Sequence, residues 1–287
     1  MASGTNIKTY AGGAWHNADV PVMRAADHGA WLGTNVFDGA RFARGVMPDL
    51  LAHCERVNAS ARAFMIDPTM TADAMVEVIR DGIARYPKDA AVYIRPMYWG
   101  IDAAASVVLA KPGNTGFAIS LEEIPLAPPD AAVTLGYTRF RRPTIETALV
   151  NAKAGALYPN NQRMLAEVNA RGFANALVTD AMGNVAETAT TNIFMVRDGE
   201  IMTPIPNGTF LAGITRGRHI ALARDAGETV QETVLTLEDF ATADEVFVTG
   251  NMHEITPVAA IEDRRFQPGP VTRRVIERYW DWAASQH

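Results

Sequence analysis

The chain has 287 residues, enough to bury a substantial core in two domains. Its 48% hydrophobic and 20% charged residues exclude a disordered chain, and a net charge of -6 argues against nucleic acid or an anionic membrane as main partner. A single cysteine, Cys54, excludes an internal disulfide framework and suits a reducing compartment.

Taken in chain order, Ile7–Tyr10 and Gly13–Trp15 read as short strands around a glycine turn. Asn35–Phe42 reads as one strand. A helix follows Pro48, with Leu50, Leu51, Val57, Ala61 and Phe64 on its apolar side and Cys54 as a small buried residue. A second helix follows Thr71, with Met75, Ile79 and Ile83 at four-residue spacing. Ala91–Trp99 reads as a strand whose period of two puts Tyr93, Arg95, Met97 and Trp99 on one face. Phe117–Leu121 closes the first half. Three prolines between Ile124 and Asp130 predict a linker. The expected division is therefore a small domain over 1–120, a linker over 121–132 and a large domain over 133–287.

The second half opens with a strand at Val133–Tyr137. A helix over 160–170 ends at Gly172, a natural position for the left-handed cap. Ala176–Asp180 and Asn192–Val196 read as strands, with turns at Met182-Gly183-Asn184 and Asp198-Gly199. A helix over 215–226, a strand over 244–249 and a helix over 271–284 complete the pattern. No GxGxxG follows a strand, which disfavours a dinucleotide-binding domain. No run nears the roughly 20 apolar residues of a membrane span, and the first residues lack the features of a signal peptide. The expected location is the cytoplasm.

Lys153 lies among Ala152, Ala154, Gly155, Ala156 and Leu157, surroundings that would lower an amine's pKa and free it to attack an aldehyde. An ordinary surface lysine is the other reading. Glu187, between Ala186 and Thr188, offers a carboxylate for a pyridine nitrogen, or is a rim glutamate. Gly213-Ile214-Thr215 opens a helix whose N-terminus suits an anion; Thr215 alternatively just caps it. His53 and Arg56 share a helix face, and Arg56 could fork onto a phosphate or lie at the surface. Arg139, Arg141 and Arg142 form a basic cluster, either solvated or facing an active-site entrance. The histidines lack the spacing of a metal site. An amine, a carboxylate and an anion site are together what pyridoxal 5'-phosphate (PLP) requires.

In order along the chain, His28-Gly29-Ala30-Trp31-Leu32-Gly33-Thr34-Asn35-Val36-Phe37-Asp38-Gly39-Ala40-Arg41, the His53–Arg56 helix, Tyr93-Ile94-Arg95-Pro96, and the segments around Lys153, Glu187, Gly213–Arg216, Asp244–Phe247 and Glu254–Val258 resemble the fold-type IV, PLP-dependent aminotransferases. Within that family they resemble the branched-chain amino acid aminotransferases. The resemblance implies a two-domain α+β fold with PLP between the domains and ping-pong amino transfer between a branched-chain L-amino acid and 2-oxoglutarate. It also implies a homodimer or higher homo-oligomer.

Carried over, the resemblance makes Lys153 the catalytic residue that bonds the cofactor aldehyde and moves the proton. Glu187 pairs with the pyridine nitrogen and Tyr158 bonds the ring hydroxyl. Arg56, Ile214, Thr215 and Asn251 hold the phosphate. Phe37, Gly39, Arg41, Tyr93 and Arg95 line the substrate pocket. Departures are Leu32 in place of a pocket tyrosine, a short linker without aromatics, and Thr249-Gly250-Asn251-Met252-His253 in place of a small-residue loop. They bear on the substrate, not the cofactor, and keep an (R)-selective amine or D-amino acid transaminase open; 4-amino-4-deoxychorismate lyase, which would share Lys153 and Glu187, is a second alternative, and the intact Lys153/Glu187 pair argues against a third, a non-catalytic PLP binder.

Overall fold

Strand β1 (Thr5–Ala11) folds back at Gly12-Gly13, both at positive φ, into β2 (Ala14–His16). The computed structural model describes residues 4–250 and 254–286. It divides into two compact units. One runs to Leu126 and takes Asn151–Leu157; the other comprises Ala127–Val150 and Tyr158–Ser285. No helix among the described residues is long and apolar enough to cross a membrane.

In the first unit, α1 (His28–Trp31) precedes β3 (Asn35–Phe37) and β4 (Ala40–Phe42). The single strand expected over 35–42 is thus two. Asp38 breaks it, because its side chain accepts the next backbone N–H, that of Gly39, at 2.7 Å. Helices α2 (Leu50–Ala63) and α3 (Ala72–Ile83) follow, the second capped by the Thr71 side chain. Met75, Ile79 and Ile83 are buried as their spacing predicts, but Leu51, placed on the apolar side of α2, is 44% exposed. Strands β5 (Val92–Gly100) and β6 (Thr115–Glu123) complete a sheet of order β2-β1-β6-β5-β3, with β4 also on β5. Leu121–Glu123, expected to begin the linker, instead continue β6 against β5 and β1.

The Lys153 segment, expected in the second domain, packs with the first unit. The Phe37 N–H donates to the Lys153 carbonyl at 3.1 Å, and Val36 and Ala154 form a β-bridge. A single 3-10 turn, Gly155–Leu157, follows. Gly155 permits the approach of the Asn35 side chain, whose Oδ1 a Cβ would meet.

The second unit contains β7 (Val133–Arg141), α4 (Tyr158–Asn169), β8 (Asn175–Thr179), β9 (Val185–Thr188), β10 (Asn192–Arg197) and β11 (Glu200–Pro204). It continues with α5 (Ile214–Asp225), β12 (Val230–Thr233), α6 (Leu237–Ala241), β13 (Glu245–Gly250), β14 (Glu254–Ile261), β15 (Arg264–Arg265) and α7 (Pro270–Ala284). The sheet order is β12-β11-β10-β13-β14-β7-β8-β9, with β15 on β14. Both faces of its centre are covered, so β10 reads as a continuous apolar run. Ile193 and Met195 enter one core with Val246, Val248 and Phe240. Phe194 and Val196 enter the other, with Phe247, Ile220 of α5 and Val271, Val275 and Tyr279 of α7. This double-sided core fixes the start of β10 and the N-terminus of α5, where the candidate site lies.

Candidate active site

In the second unit the site centres on Glu187, held on β9 opposite Val178 of β8 and 8% exposed. A buried carboxylate needs compensating partners. Arg142 Nη2 lies 2.9 Å from Glu187 Oε1, and Asn192 Nδ2 donates to Oε2 at 3.1 Å. Arg142 is therefore no solvated member of a basic patch. It sits just past the end of β7, buried, and its Nη1 donates to Asn161 Oδ1 of α4 at 2.7 Å. Its Nη2 also donates to the carbonyls of Thr188 and Ala189, at 2.7 and 3.1 Å. The neighbours diverge from it: Arg139 pairs with Glu167, and Arg141 donates to Thr179 Oγ1.

Asn192, the first residue of β10, joins two parts of the site. Its Nδ2 donates to Glu187 and to the Leu211 carbonyl at 3.0 Å, while its Oδ1 accepts the Gly213 N–H at 3.0 Å. Gly213 is the N-cap of α5 and brings no side-chain cap. A Cβ there would collide with Asn192 Oδ1, so glycine permits the approach. Ile214 and the buried Thr215 form the first turn. The next residue of that motif, Arg216, is anchored elsewhere, on the Pro204 carbonyl and Glu232. Tyr158 opens α4, the helix that also carries Asn161. Asn251 lies outside the described residues. A buried carboxylate tied through one asparagine to a helix N-terminus suits a ligand with a protonated ring nitrogen at one end and a phosphate at the other. The donor set of this unit therefore fits PLP.

In the first unit, both backbone polar groups of Lys153 are engaged. Its N–H donates to Ser60 Oγ of α2 at 3.1 Å, and its carbonyl accepts from Phe37. Lys153 is half-buried, and its Nζ lies 5.1 Å from the centroid of the Phe37 ring. Arg56 lays a fork on Asp38, Nε to Oδ2 at 2.6 Å and Nη2 to Oδ1 at 2.7 Å, and His53 Nδ1 lies 2.8 Å from Oδ1. Burial opposes the charge on Asp38, but Arg56 and His53 outweigh it and hold the carboxyl well below the usual carboxylate range. Asp38→Asn should therefore cost about 3–5 kcal/mol of stability near neutral pH, measured by urea unfolding. A carboxyl whose pKa is depressed in the folded state stabilises above its unfolded value, about 4, and loses that contribution in acid. The gap between wild type and Asp38→Asn should close as the pH falls below about 4.

Tyr93, Arg95 and Met97 share a face of β5, as period two predicts, whereas Trp99 is buried. Arg95 pairs with Glu122 of β6, which also accepts from Ser120 Oγ at 3.1 Å. Gly39 lies against Tyr93, whose hydroxyl a Cβ would strike. Arg41, expected to line a pocket, is 1% exposed, and its Nη2 donates to the Ile124 carbonyl. Its reach is turned inward, toward the end of the sheet. Burial, with the nearby Asp38 and Glu55 carboxylates, pushes the Cys54 thiol up to about 12, in keeping with an inert core residue. Asn192 is the candidate-site residue that sequence reasoning missed, and Arg142 appeared there only as one of a basic cluster, with no partner assigned. The one available signal was an asparagine five residues after Glu187 at the start of a strand.

The family model described as amino-transferase class IV matches residues 35–261. The chain is 32% identical to the branched-chain-amino-acid aminotransferase of Salmonella typhimurium, over 93% of this chain and 88% of that one. It is 31% identical to the Escherichia coli K12 enzyme of the same name, with the same coverage. Among solved structures, an aminotransferase of Brucella abortus bound to PLP superposes with a TM-score of 0.95 at 51% identity, covering 97% of this chain and 99% of that one. The branched-chain aminotransferase of Thermoproteus uzoniensis with norvaline gives 0.88 at 28% identity, covering 98% and 95%. The antiparallel sheet of the first unit and the mixed sheet of the second, with their flanking helices, are thus the fold-type IV architecture expected from the sequence, and the chain belongs to the class IV aminotransferases.

Proposed function

We propose that this aminotransferase uses PLP to move an amino group between a branched-chain L-amino acid and 2-oxoglutarate. The observation that carries the cofactor assignment is the Glu187–Asn192–Gly213 connection, which ties a carboxylate to a helix N-terminus. Bound PLP supplies an electron sink for the carbanion that amino transfer creates. Glu187 holds a proton on the ring nitrogen. Tyr158 bonds the ring hydroxyl. The first turn of α5, with Arg56 oriented by Asp38 and with Asn251, holds the phosphate. Lys153 Nζ would hold the cofactor through its aldehyde carbon and, once the substrate amine takes its place there, would be free as an amine to carry the proton to and from the substrate carbon. Phe37 and Gly39 shape the substrate side with Tyr93 and Arg95.

The named relatives support a branched-chain substrate, as does the Tyr93–Arg95 face. Leu32, 39% exposed where that family carries a tyrosine, favours the second reading, an (R)-selective amine or D-amino acid transaminase. A panel of L-leucine, L-isoleucine, D-alanine and (R)-1-phenylethylamine with 2-oxoglutarate separates the two. Arg95→Ala would leave the buried Glu122 to repel a substrate carboxylate, so the KM for L-leucine should rise about tenfold or more. Use of (R)-1-phenylethylamine should not change. A wild type that prefers the (R)-amine, with Arg95→Ala affecting both donors equally, would replace the branched-chain reading.

The proposal extends to a cytoplasmic homodimer or higher homo-oligomer in which the two compact units act as two domains. Its support is an exposed apolar group in the first unit: Trp31 and Leu32 beside Val107, Val108 and Leu109, with Val108 75% exposed. His28 brings these segments together, with Nε2 3.2 Å from the Val107 carbonyl and its ring against Trp31. A contiguous exposed apolar patch of this kind marks a contact surface. Sedimentation should show a dimer or larger for wild type and a monomer for Val108→Arg; an active wild-type monomer would contradict the assignment.

A further inference from the structure

We propose that Arg142 is a positioning residue for amino transfer: its guanidinium holds Glu187 oriented and ionised, and so keeps a proton on the cofactor's ring nitrogen. The inference rests on the reading that Glu187 is the partner of that nitrogen. Three features of the geometry carry it. First, Arg142 reaches Glu187 directly, Nη2 to Oε1 at 2.9 Å, and both side chains are buried. Second, the guanidinium is immobilised independently of Glu187. Asn161 Oδ1 of α4 holds Nη1, and the carbonyls of Thr188 and Ala189 hold Nη2. Third, the other carboxylate oxygen accepts from a neutral donor, Asn192 Nδ2, on the side that leads to Gly213. Among these contacts the cation stands on one oxygen, while the amide ties the other toward the helix N-terminus.

The chemistry follows from where a shared proton goes. Between a carboxyl group and a pyridine nitrogen, the proton resides on the more basic partner. Burial alone makes a carboxylate more basic, and would draw the proton off the ring. A guanidinium stays charged throughout the working pH range and stabilises the carboxylate, which leaves the proton on nitrogen. The ring then remains a strong electron sink. Asn161, on the helix that begins with Tyr158, and the turn that follows β9 thus act on the reaction through Arg142. A purely structural Arg142 would tie the same turn to α4 but leave the ring nitrogen indifferent to its charge.

The test reconstitutes the holoenzyme with PLP labelled with 15N at the ring nitrogen, in wild type, Arg142→Gln, Arg142→Lys, Glu187→Gln and the Arg142→Gln/Glu187→Gln double variant. Wild type and Arg142→Lys should show a protonated-pyridine resonance. Arg142→Gln should shift toward the neutral position, as should Glu187→Gln. Turnover of Arg142→Gln should fall about 10- to 100-fold, and the double variant should lose little beyond Glu187→Gln alone, because the two residues act as one unit. A wild-type resonance in Arg142→Gln, with losses that multiply in the double variant, would overturn the proposal and leave Arg142 a structural tie. If Arg142→Gln does not fold, Arg142→Lys decides: it keeps the charge but cannot make all the carbonyl contacts. A protonated ring supports the proposal; a neutral ring in folded Arg142→Lys refutes it. If Glu187→Gln itself retains wild-type resonance and rate, the ring-nitrogen reading fails and this inference falls with it.

Discussion

Lys153→Ala should abolish transamination while leaving the chain folded and able to take up PLP through its phosphate contacts. The side chain contributes the amine and the proton carrier, and no other group in its segment offers either. General acid–base transfer alone is worth roughly 10²–10⁴ in rate, and loss of the covalent link adds to it. Folding should survive because the backbone of Lys153 is held without its side chain, by Ser60 Oγ and the Phe37 N–H. Melting temperature and far-UV circular dichroism should match wild type. PLP should be retained more weakly on dialysis, without the absorbance of the lysine-bound cofactor. Full activity in this variant would sink the assignment of Lys153.

Elements governed by local rules were legible in the sequence. The four-residue spacing of Met75, Ile79 and Ile83 specifies α3, and the alternation of Tyr93, Arg95 and Met97 specifies a face of β5. Asp198 and Gly199 both adopt positive φ, as the tight hairpin between β10 and β11 requires. Where partners lie far away in sequence, that reading lost its grip. Strand β9 is four residues, Val185–Thr188, all buried and without alternation, so it resembles a loop until β8 pairs with it. The Lys153 segment resembles the start of a second domain, yet its partners are Val36, Phe37 and Ser60. No local periodicity reports a bridge across that distance.

The site divides in the same way. Lys153, Glu187 and Gly213 stand out because each has an unusual neighbourhood for its chemistry. Arg142 does not, because two arginines beside it make it look solvated. Its burial depends on a carboxylate 45 positions onward and on an asparagine of α4. Asn192 was equally hidden: at a strand start it resembles a turn residue, and only the fold shows both ends of its amide in use. Arg41 erred the other way. Its place in the motif suggested a pocket wall, but the structure turns its guanidinium toward the Ile124 carbonyl.

Glu187→Gln should retain the cofactor and lose most of its rate. The amide is nearly isosteric, and the Asn192 contact to Oε2 has a counterpart through the amide oxygen, so the link to Gly213 and the phosphate side is expected to persist. What changes is charge. A neutral amide cannot hold a proton on the ring nitrogen, and Arg142 loses its counter-ion in a buried setting. By analogy with other buried electrostatic groups in catalysis, the barrier should rise by about 2–4 kcal/mol, a fall in kcat of roughly 30- to 1000-fold. Because the loss is in the transition state, kcat should fall with little change in the KM of the amino donor. The stability of Glu187→Gln should also drop, since the Arg142 guanidinium is left without its anionic partner; Arg142→Gln in that background should recover part of it. A variant that keeps wild-type kcat would make Glu187 a structural partner of Arg142 and move the ring-nitrogen contact to another group.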